Sequence, residues 1–331
     1  MCIRDRFGQN GTRSLGGYRL TQSVGSLSNL PLDTGIPTSG QIKFSDFYSK
    51  QLNVVVDCHS GSREDRKSAK NDKWNNNNVT VIGGFRSKKE GGSKIIINVN
   101  KKFCSDKSST QNCALRTGSW DSTATVQVDL GSGANILGAG GDGGRGADGI
   151  NNNGQPGGDG TSALGIEVNN CVVNVASGGI LRAGFGGGGG GGGGRQTDKR
   201  RDRRAGGGGG GGGAGCPAGN GGQGGDTGGG FGSGAGQPGG AGTETTGGGG
   251  GGGGNNAGQA GGASGGSGGQ ASGNAGSGGQ ASSNAGGGGS NNTSGGSGGG
   301  NGAAIRRTSG FNVTINNNGT ISGSTTATGV S

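Results

Sequence analysis

Few side chains in this sequence are suited to catalysis. The chain has 331 residues but a single histidine, His59, which directly follows Cys58. Neighbouring residues of a strand point to opposite faces, so this pair does not form a catalytic dyad without strain. The run GAGGDGGRG at 138–146 matches a dinucleotide-binding motif only in its letters, because no helix follows it. We therefore predict that the protein is not an enzyme and has no cofactor.

The aspartates and cysteines of the sequence are the candidates for metal binding and for a disulfide. Asp142, Asp148 and Asp159 lie in glycine-rich turns similar to those of calcium-binding repeats, but the regular nine-residue spacing of such repeats is absent. The cysteines show no C-x-x-C spacing, which argues against zinc, and we expect no metal site. Cys104 and Cys113 bracket a short step between two strand-like segments. They are candidates for a disulfide, and the alternative is two buried thiols.

Charge is the most prominent chemical property that remains. The net charge is +10, and residues 195–204, which read RQTDKRRDRR, carry six cations and two acids. The basic clusters are mixed with acids and lack interleaved aromatic residues, so we expect no nucleic-acid partner. No run of 18 apolar residues occurs, and we therefore expect no membrane insertion.

The distribution of glycine divides the chain. Of 95 glycines, 15 precede residue 138 and 4 follow residue 305. Residues 1–6, MCIRDR, resemble a translated sequencing adapter and are treated as an artefact. Residues 7–50 are polar and rich in turns, which predicts an extended attachment arm with one short helical turn capped by Ser45 or Asp46.

Residues 51–137 are predicted to form a β-rich domain. Four segments carry β-branched runs of strand length: QLNVVVDC (51–58), NVTVIGGF (78–85), SKIIINVN (93–100) and TATVQVDL (123–130). No segment keeps a 3.6-residue apolar period, so almost no α-helix is expected. The natural arrangement for such strands is a small β-sandwich.

A weak repeat links this domain to the rest of the chain. VQVDLGSGANILGAGG begins at Val126, VVNVASGGILRAGFGG at Val172 and NVTINNNGTISGS at Asn312. Each has alternating aliphatic residues followed by a Gly/Asn turn, which suits either a hairpin or one rung of a β-stack. We interpret them as strands that start, interrupt and close a glycine body, with residues 306–331 as a C-terminal β cap.

Residues 138–305 are this glycine body. A flexible linker is the simplest interpretation of such a composition. The length of the body and its pattern of glycine pairs favour instead a bundle of polyglycine-II helices, whose peptide groups bond to neighbouring helices. Charged and bulky interruptions must then project as loops, at 195–205, 216–220, 243–246 and 290–294.

The motifs of the body resemble a known family. ILGAGGDGGRGADG, PGGDGTSALGIE and NVTINNNGTISG, around long glycine runs, resemble the glycine-rich adhesins at the tail-fibre tips of T-even-like phages. SLGGYR and PLDTGIPTSGQIKFSDFY resemble N-terminal segments of structural proteins from marine and cyanobacterial myophages. The resemblance covers residues 11–60 and 126–331, whereas the strand-rich region 51–130 and the basic loop have no equivalent in the T-even pattern.

The resemblance implies a protein of the virion tail that acts at the host surface during attachment. Its partners would be a bacterial receptor, either an outer-membrane protein or a polysaccharide, and other tail-fibre or tail proteins. The receptor-contacting residues it implies are Arg195, Lys199, Arg200, Arg201, Arg203, Arg204, Thr243, Thr245, Asn291 and Asn292. Arginine suits the anionic groups of bacterial surfaces, although the same charges could serve only to keep a glycine slab soluble.

Two other functions fit the composition. One is a glycine-rich structural or cell-surface protein with no role in recognition. The other is an ice-binding protein built from glycine helices, against which the bulky charged loop and the β-rich front part argue.

Overall fold

The computed structural model describes most of the chain after residue 93. The described residues are 22–24, 27–30, 41, 43, 54–58, 79–82, 94–105, 112–118, 120, 125–198, 201–227, 234–256, 260–261, 264–271 and 293–330. They contain strands, turns and extended segments but no helix, which confirms a mainly β fold. Accordingly, no helix in this part of the chain is long and apolar enough to cross a membrane. The predicted helical turn near residue 45 falls outside it.

The strands are short and follow the predicted β-branched runs. In chain order they are β1 (Gln22–Val24), β2 (Leu27–Leu30), β3 (Val54–Cys58), β4 (Val79–Ile82), β5 (Lys94–Val99), β6 (Lys102–Cys104), β7 (Cys113–Arg116), β8 (Thr125–Leu130), β9 (Asn135–Leu137), β10 (Ser162–Ile166), β11 (Cys171–Val175), β12 (Ile180–Arg182), β13 (Gly194–Asp198), β14 (Arg201–Ala205), β15 (Asn255–Asn256), β16 (Ala260–Gly261), β17 (Ile305–Arg307), β18 (Val313–Asn317), β19 (Thr320–Ser322) and β20 (Ala327–Thr328).

Most of these strands build a parallel β-helix of four turns. The turns are β5–β6–β7, β8–β9–β10, β11–β12–β17 and β18–β19–β20. Corresponding strands of successive turns pair in parallel, so the β-helix has three faces: a first sheet with β5, β8, β11 and β18, a second with β6, β9, β12 and β19, and a third with β7, β10, β17 and β20. Strand β3 extends the first sheet beside β5, and β4 pairs antiparallel with β3.

The three sheets enclose one apolar core. Alternation places Val126, Val128 and Leu130 of β8 inside, while the residues between them face outward. Aliphatic residues from all three faces join this core, including Ile136 of β9 and Leu164 of β10. Each such side chain contributes about 1.5–3 kcal/mol by leaving water, which makes the β-helix the apolar anchor of the chain.

The predicted β-sandwich is therefore wrong. A sandwich pairs strands that are mostly antiparallel, whereas here each strand passes to the next face and pairs in parallel one turn later. The rung interpretation of the sequence repeat is confirmed, because β8, β11 and β18 stack in register. The range 306–331, predicted as a C-terminal β cap, contains the end of β17 and the strands of the last turn, β18 to β20.

The glycine body is inserted at one corner of the β-helix. Residues 138–161 connect β9 to β10, and residues 183–304 connect β12 to β17, so both insertions leave the second sheet and return to the third. Their extended segments run away from the β-helix and back: 138–148, 153–161, 183–193, 205–215, 217–227, 234–243, 246–254, 264–271 and 293–304. We call 183–193 and 205–215 the central segments, and the end furthest from the β-helix the distal end.

Backbone hydrogen bonds hold the glycine segments together. Every amide from Gly209 to Ala214 donates to a neighbouring segment, and every carbonyl over the same residues accepts from one. The partner changes with each residue and repeats every third residue. For example, Gly210 and Gly213 both donate to 138–148, at 2.8 Å each. The central segment 205–215 thereby bonds to six others, namely 138–148, 183–193, 217–227, 234–243, 246–254 and 264–271.

Close packing explains the uninterrupted glycine runs. A Cβ atom at Gly210 would lie 1.9 Å from the carbonyl oxygen of Gly188, and similar contacts recur along both central segments. Outer segments tolerate a side chain at every third residue. In 217–227 the buried glycines alternate in this way with exposed Asn220, Gln223 and Asp226.

Some of these outer side chains complete the hydrogen bonding. The Oδ1 atom of Asp142 accepts the Asn220 amide at 2.6 Å, and Oδ1 of Asp159 accepts the Gly300 amide at 2.6 Å. Asn301 accepts the Gly186 amide in the same manner. The aspartates that the sequence offered as calcium ligands therefore bind backbone amides of the bundle.

Candidate functional site

The basic stretch forms a hairpin at the distal end. Strands β13 and β14 pair antiparallel and join the two central segments of the bundle. Since 183–193 and 205–215 are held by hydrogen bonds along their length, the hairpin is mounted on the most constrained part of the glycine body. The stretch that we predicted to project as a loop thus contains the two strands of a hairpin, and hydrogen bonds hold the base of this hairpin in place.

The register of the hairpin concentrates positive charge. Arg195 is directly opposite Arg204, and Arg203 is opposite Gln196. Directly opposite residues of an antiparallel pair lie on the same face, so Arg195 and Arg204 share one face of the hairpin. Arginine forms bidentate hydrogen bonds with phosphate and carboxylate groups, so this arrangement suits an anionic ligand.

Other charged and polar residues surround the hairpin at the distal end. Arg145 pairs with Asp148 at 2.8 Å and with Asp226 at 3.3 Å. The Thr293 amide donates to the Gly193 carbonyl at 3.1 Å, and the Thr293 Oγ1 atom accepts the Gly193 amide at 2.7 Å, which brings the start of segment 293–304 beside the hairpin. The distal end is consequently a mixed-charge surface on which the arginines of β13 and β14 are the main cations among the described residues.

The structure separates the predicted contact residues into two groups. Arg195, Arg203 and Arg204 lie at the distal end, and the backbone of Arg201 is there as well. Thr243 and Thr245 lie at the opposite end, in a turn closed by hydrogen bonds between Thr243 and Thr246. The remaining residues predicted for contact, Lys199, Arg200, Asn291 and Asn292, fall outside the described residues.

The turn at 243–246 faces the β-helix. Glu244 forms ion pairs with Lys102 of β6 and Arg182 of β12. The predicted loop 216–220 begins at the same end, where Cys216 and Cys104 form a disulfide with a Cα–Cα distance of 5.2 Å. Together these contacts fasten the returning glycine segments to the second sheet.

The predicted disulfide between Cys104 and Cys113 is therefore wrong. Cys104 ends β6 in the second sheet and bonds to Cys216, whereas Cys113 begins β7 in the third sheet and is a buried free thiol. Sequence proximity suggested the first pairing, but the chain turns a corner of the β-helix between the two cysteines. The signal for the true partner was Cys216 itself, which ends a glycine run at the body's return to the β-helix.

Two buried thiols, Cys113 and Cys171, are poor nucleophiles. Burial raises the pKa of Cys113 to about 12, although nearby Arg116 and Arg306 lower it in part. Burial likewise raises the pKa of Cys171 to about 12. Across the described ranges, no group of three or more His, Cys, Asp or Glu side chains is placed to hold a metal ion.

Comparison with known proteins bears on this architecture. The family model described as phage tail fibre adhesin Gp38 matches residues 66–248, which is more than half of the chain. The chain belongs to the Gp38 family of phage tail fibre adhesins. The matched range includes most of the β-helix, the arginine hairpin and most of the glycine body. The adhesin is accordingly a virion protein of the tail, as the sequence resemblance implied.

One solved structure is similar to the adhesin. It is the gp37–gp38 adhesin tip complex of the bacteriophage S16 long tail fibre, with 18% sequence identity, a TM-score of 0.34 and coverage of 88% of this chain and 89% of the other. No curated protein matches the chain.

Proposed function

We propose that this adhesin recognises its host through the distal end of the glycine body, with the arginine hairpin as the principal contact. The register of the hairpin carries the proposal, because it mounts Arg195, Arg203 and Arg204 on one anchored support. The receptor is a component of the bacterial outer surface, an outer-membrane protein or a polysaccharide, that offers phosphate or carboxylate groups. Thr243 and Thr245 lie at the opposite end of the glycine body and so have no part in this contact.

The scaffold for this contact is a bundle of polyglycine-II helices. The three-residue repeat of the hydrogen-bond partners around Gly209–Ala214 supports this interpretation, since a polyproline-II-type helix has three residues per turn. The three-residue burial pattern of segment 217–227 supports it independently. A bundle of this kind keeps its shape without side chains, so the loops at its end are free to vary.

We assign attachment to the tail to the N-terminal part of the chain. Residues 7–50 form the attachment arm, the β-helix is the stem and residues 138–305 are the recognition body. The partner of the arm is another tail-fibre or tail protein. No nucleic acid, membrane insertion, cofactor or catalytic step is part of this proposal.

The test is a comparison of two arginine substitutions with the same change of charge. Arg203→Ser removes a cation from β14, and Arg307→Ser removes one from β17 on the β-helix. A charged hydrogen bond contributes about 1.5–3 kcal/mol, so Arg203→Ser is expected to weaken binding to host cells at least tenfold. Arg307→Ser should leave binding within twofold of the unchanged adhesin.

The binding assay is titration of fluorescent adhesin on host cells at 50 and 200 mM salt. A steeper loss with salt in the unchanged adhesin than in Arg203→Ser would identify the arginine as part of an ionic contact. Equal binding by the two variants would refute recognition through the hairpin. A structural protein with no role in recognition would show no saturable binding in any of these experiments.

A further inference from the structure

A groove of about 590 Å³ lies on the outside of the β-helix, at the corner where the first sheet turns into the second. This corner is not the one from which the glycine body leaves. Its polar lining consists of amide, carboxylate and hydroxyl side chains from all four turns, with no cationic side chain: Asn98, which is buried, Asn100, Asp129, Ser132, Asn174, Asn316 and Asn318.

Four of these side chains form a ladder across the first sheet. Asn98, Asp129, Asn174 and Asn316 occupy the same register position in β5, β8, β11 and β18. The Nδ2 atom of Asn174 donates to Oδ1 of Asp129 at 2.6 Å, and that of Asn316 donates to Oδ1 of Asn174 at 2.8 Å. These bonds fix the orientation of the amides. With strands about 4.8 Å apart, the ladder spans about 14 Å.

The ladder combines two kinds of surface. Each asparagine amide presents both a donor and an acceptor, which is also the bonding capacity of a hydroxyl group. Beside the amides, the partly exposed Gly131 and Ala176 contribute apolar atoms to the same groove. A sugar ring has hydroxyl groups at its edge and C–H groups on its faces, so it matches both parts of this lining. An anionic ligand would instead meet the carboxylate of Asp129 and no compensating cation.

We propose that this groove binds a neutral oligosaccharide chain. Its length of about 14 Å suits an extended oligosaccharide that runs across the strands. The ligand belongs to the uncharged carbohydrate of a bacterial surface, and its site does not depend on the arginine hairpin at the distal end. The adhesin then contacts the cell at two places of opposite chemical preference.

The experiment removes two exposed amides of the groove, that of Asn316 at the end of the ladder and that of Asn318 beside it. The full-length double variant Asn316→Ala/Asn318→Ala is compared with Thr314→Ala, which removes an exposed side chain two residues before Asn316 in β18. An array of neutral and anionic bacterial oligosaccharides identifies the best ligand, and calorimetric titration measures its affinity for each protein. We expect a neutral oligosaccharide to bind, the double variant to lose at least tenfold in affinity and Thr314→Ala to lose less than twofold.

Three results would overturn the proposal. Binding of anionic oligosaccharides alone would contradict the lining chemistry, and unchanged affinity in the double variant would place the site elsewhere. The third result concerns the accessibility of the groove to solvent. A cysteine introduced by Ser132→Cys at the groove should react rapidly with a maleimide in the intact chain, since Ser132 is exposed. Protection of that thiol would mean that another part of the chain already fills the groove.

Discussion

Substitution of single glycines by alanine tests the close packing of the bundle. At Gly210 the new Cβ would lie 1.9 Å from the oxygen of Gly188, whereas at Gly249 nothing lies within 4 Å. Neither glycine has φ in the left-handed region, so the backbone conformation of both allows alanine. The two substitutions therefore differ only in the space available.

The loss of stability in Gly210→Ala follows from the hydrogen bonds between the two central segments. Van der Waals contact at about 3.4 Å requires the segments to separate by about 1.5 Å. The bonds Gly188 N to Gly211 O and Gly191 N to Gly208 O, both 2.7 Å, would then exceed any hydrogen-bond distance. With the Phe185–Ala214 bond, three bonds of about 1 kcal/mol each are lost, or about 3 kcal/mol.

Thermal unfolding followed by calorimetry measures this difference. A loss of about 3 kcal/mol lowers Tm by about 6–12 °C in a body of this size. Gly249→Ala should leave Tm unchanged or raise it slightly, because alanine restricts the unfolded chain by about 0.4–1 kcal/mol. Hydrogen exchange of the 206–214 amides should accelerate only in Gly210→Ala. If both variants have the same Tm as the unchanged protein, the glycine segments are not packed as described.

Three further predictions concern the cysteines. Replacing Cys104 and Cys216 by serine opens a loop with a sequence separation of 112 residues and should cost about 4 kcal/mol, measured as a lower midpoint of denaturant unfolding. Cys113 and Cys171 should resist alkylation by iodoacetamide at pH 8 until the protein is unfolded, because their raised pKa values keep them protonated. Between pH 9 and about 12 the thiols of the unfolded chain ionise while the buried ones do not. Stability should therefore fall over that range, and Cys171→Ala should reduce the fall.

The elements of this fold were easier to predict from sequence than their pairing. The β-branched runs marked β5 and β8 within two residues at each end, since strand propensity and alternation are local properties. The parallel β-helix was hidden because the glycine insertions place Val172 46 positions after Val126, and Asn312 140 positions after Val172. Unequal spacing conceals a repeat even where its turns stack in register.

In the candidate site, too, local features could be predicted from the sequence, whereas the grouping of distant residues could not. The cost of burying charge made it predictable that the charged residues must project, and the hairpin lies between the glycine runs 186–194 and 206–213. Which loops share an end was not predictable, because that depends on how many times the chain crosses the bundle. The ladder of Asn98, Asp129 and Asn174 was missed because its members come together only through the register of separate turns.

The corner from which both insertions depart has an evolutionary consequence. The chain leaves the β-helix after Arg182 and returns at Ile305, and both residues belong to the same turn. The strands on either side of this insertion pair with neighbouring turns, so the insertion can change in length or sequence while the stacked turns keep their partners. A replacement segment would have to preserve the Cys104–Cys216 disulfide and the ion pairs of Glu244, which tie the insertion to the second sheet.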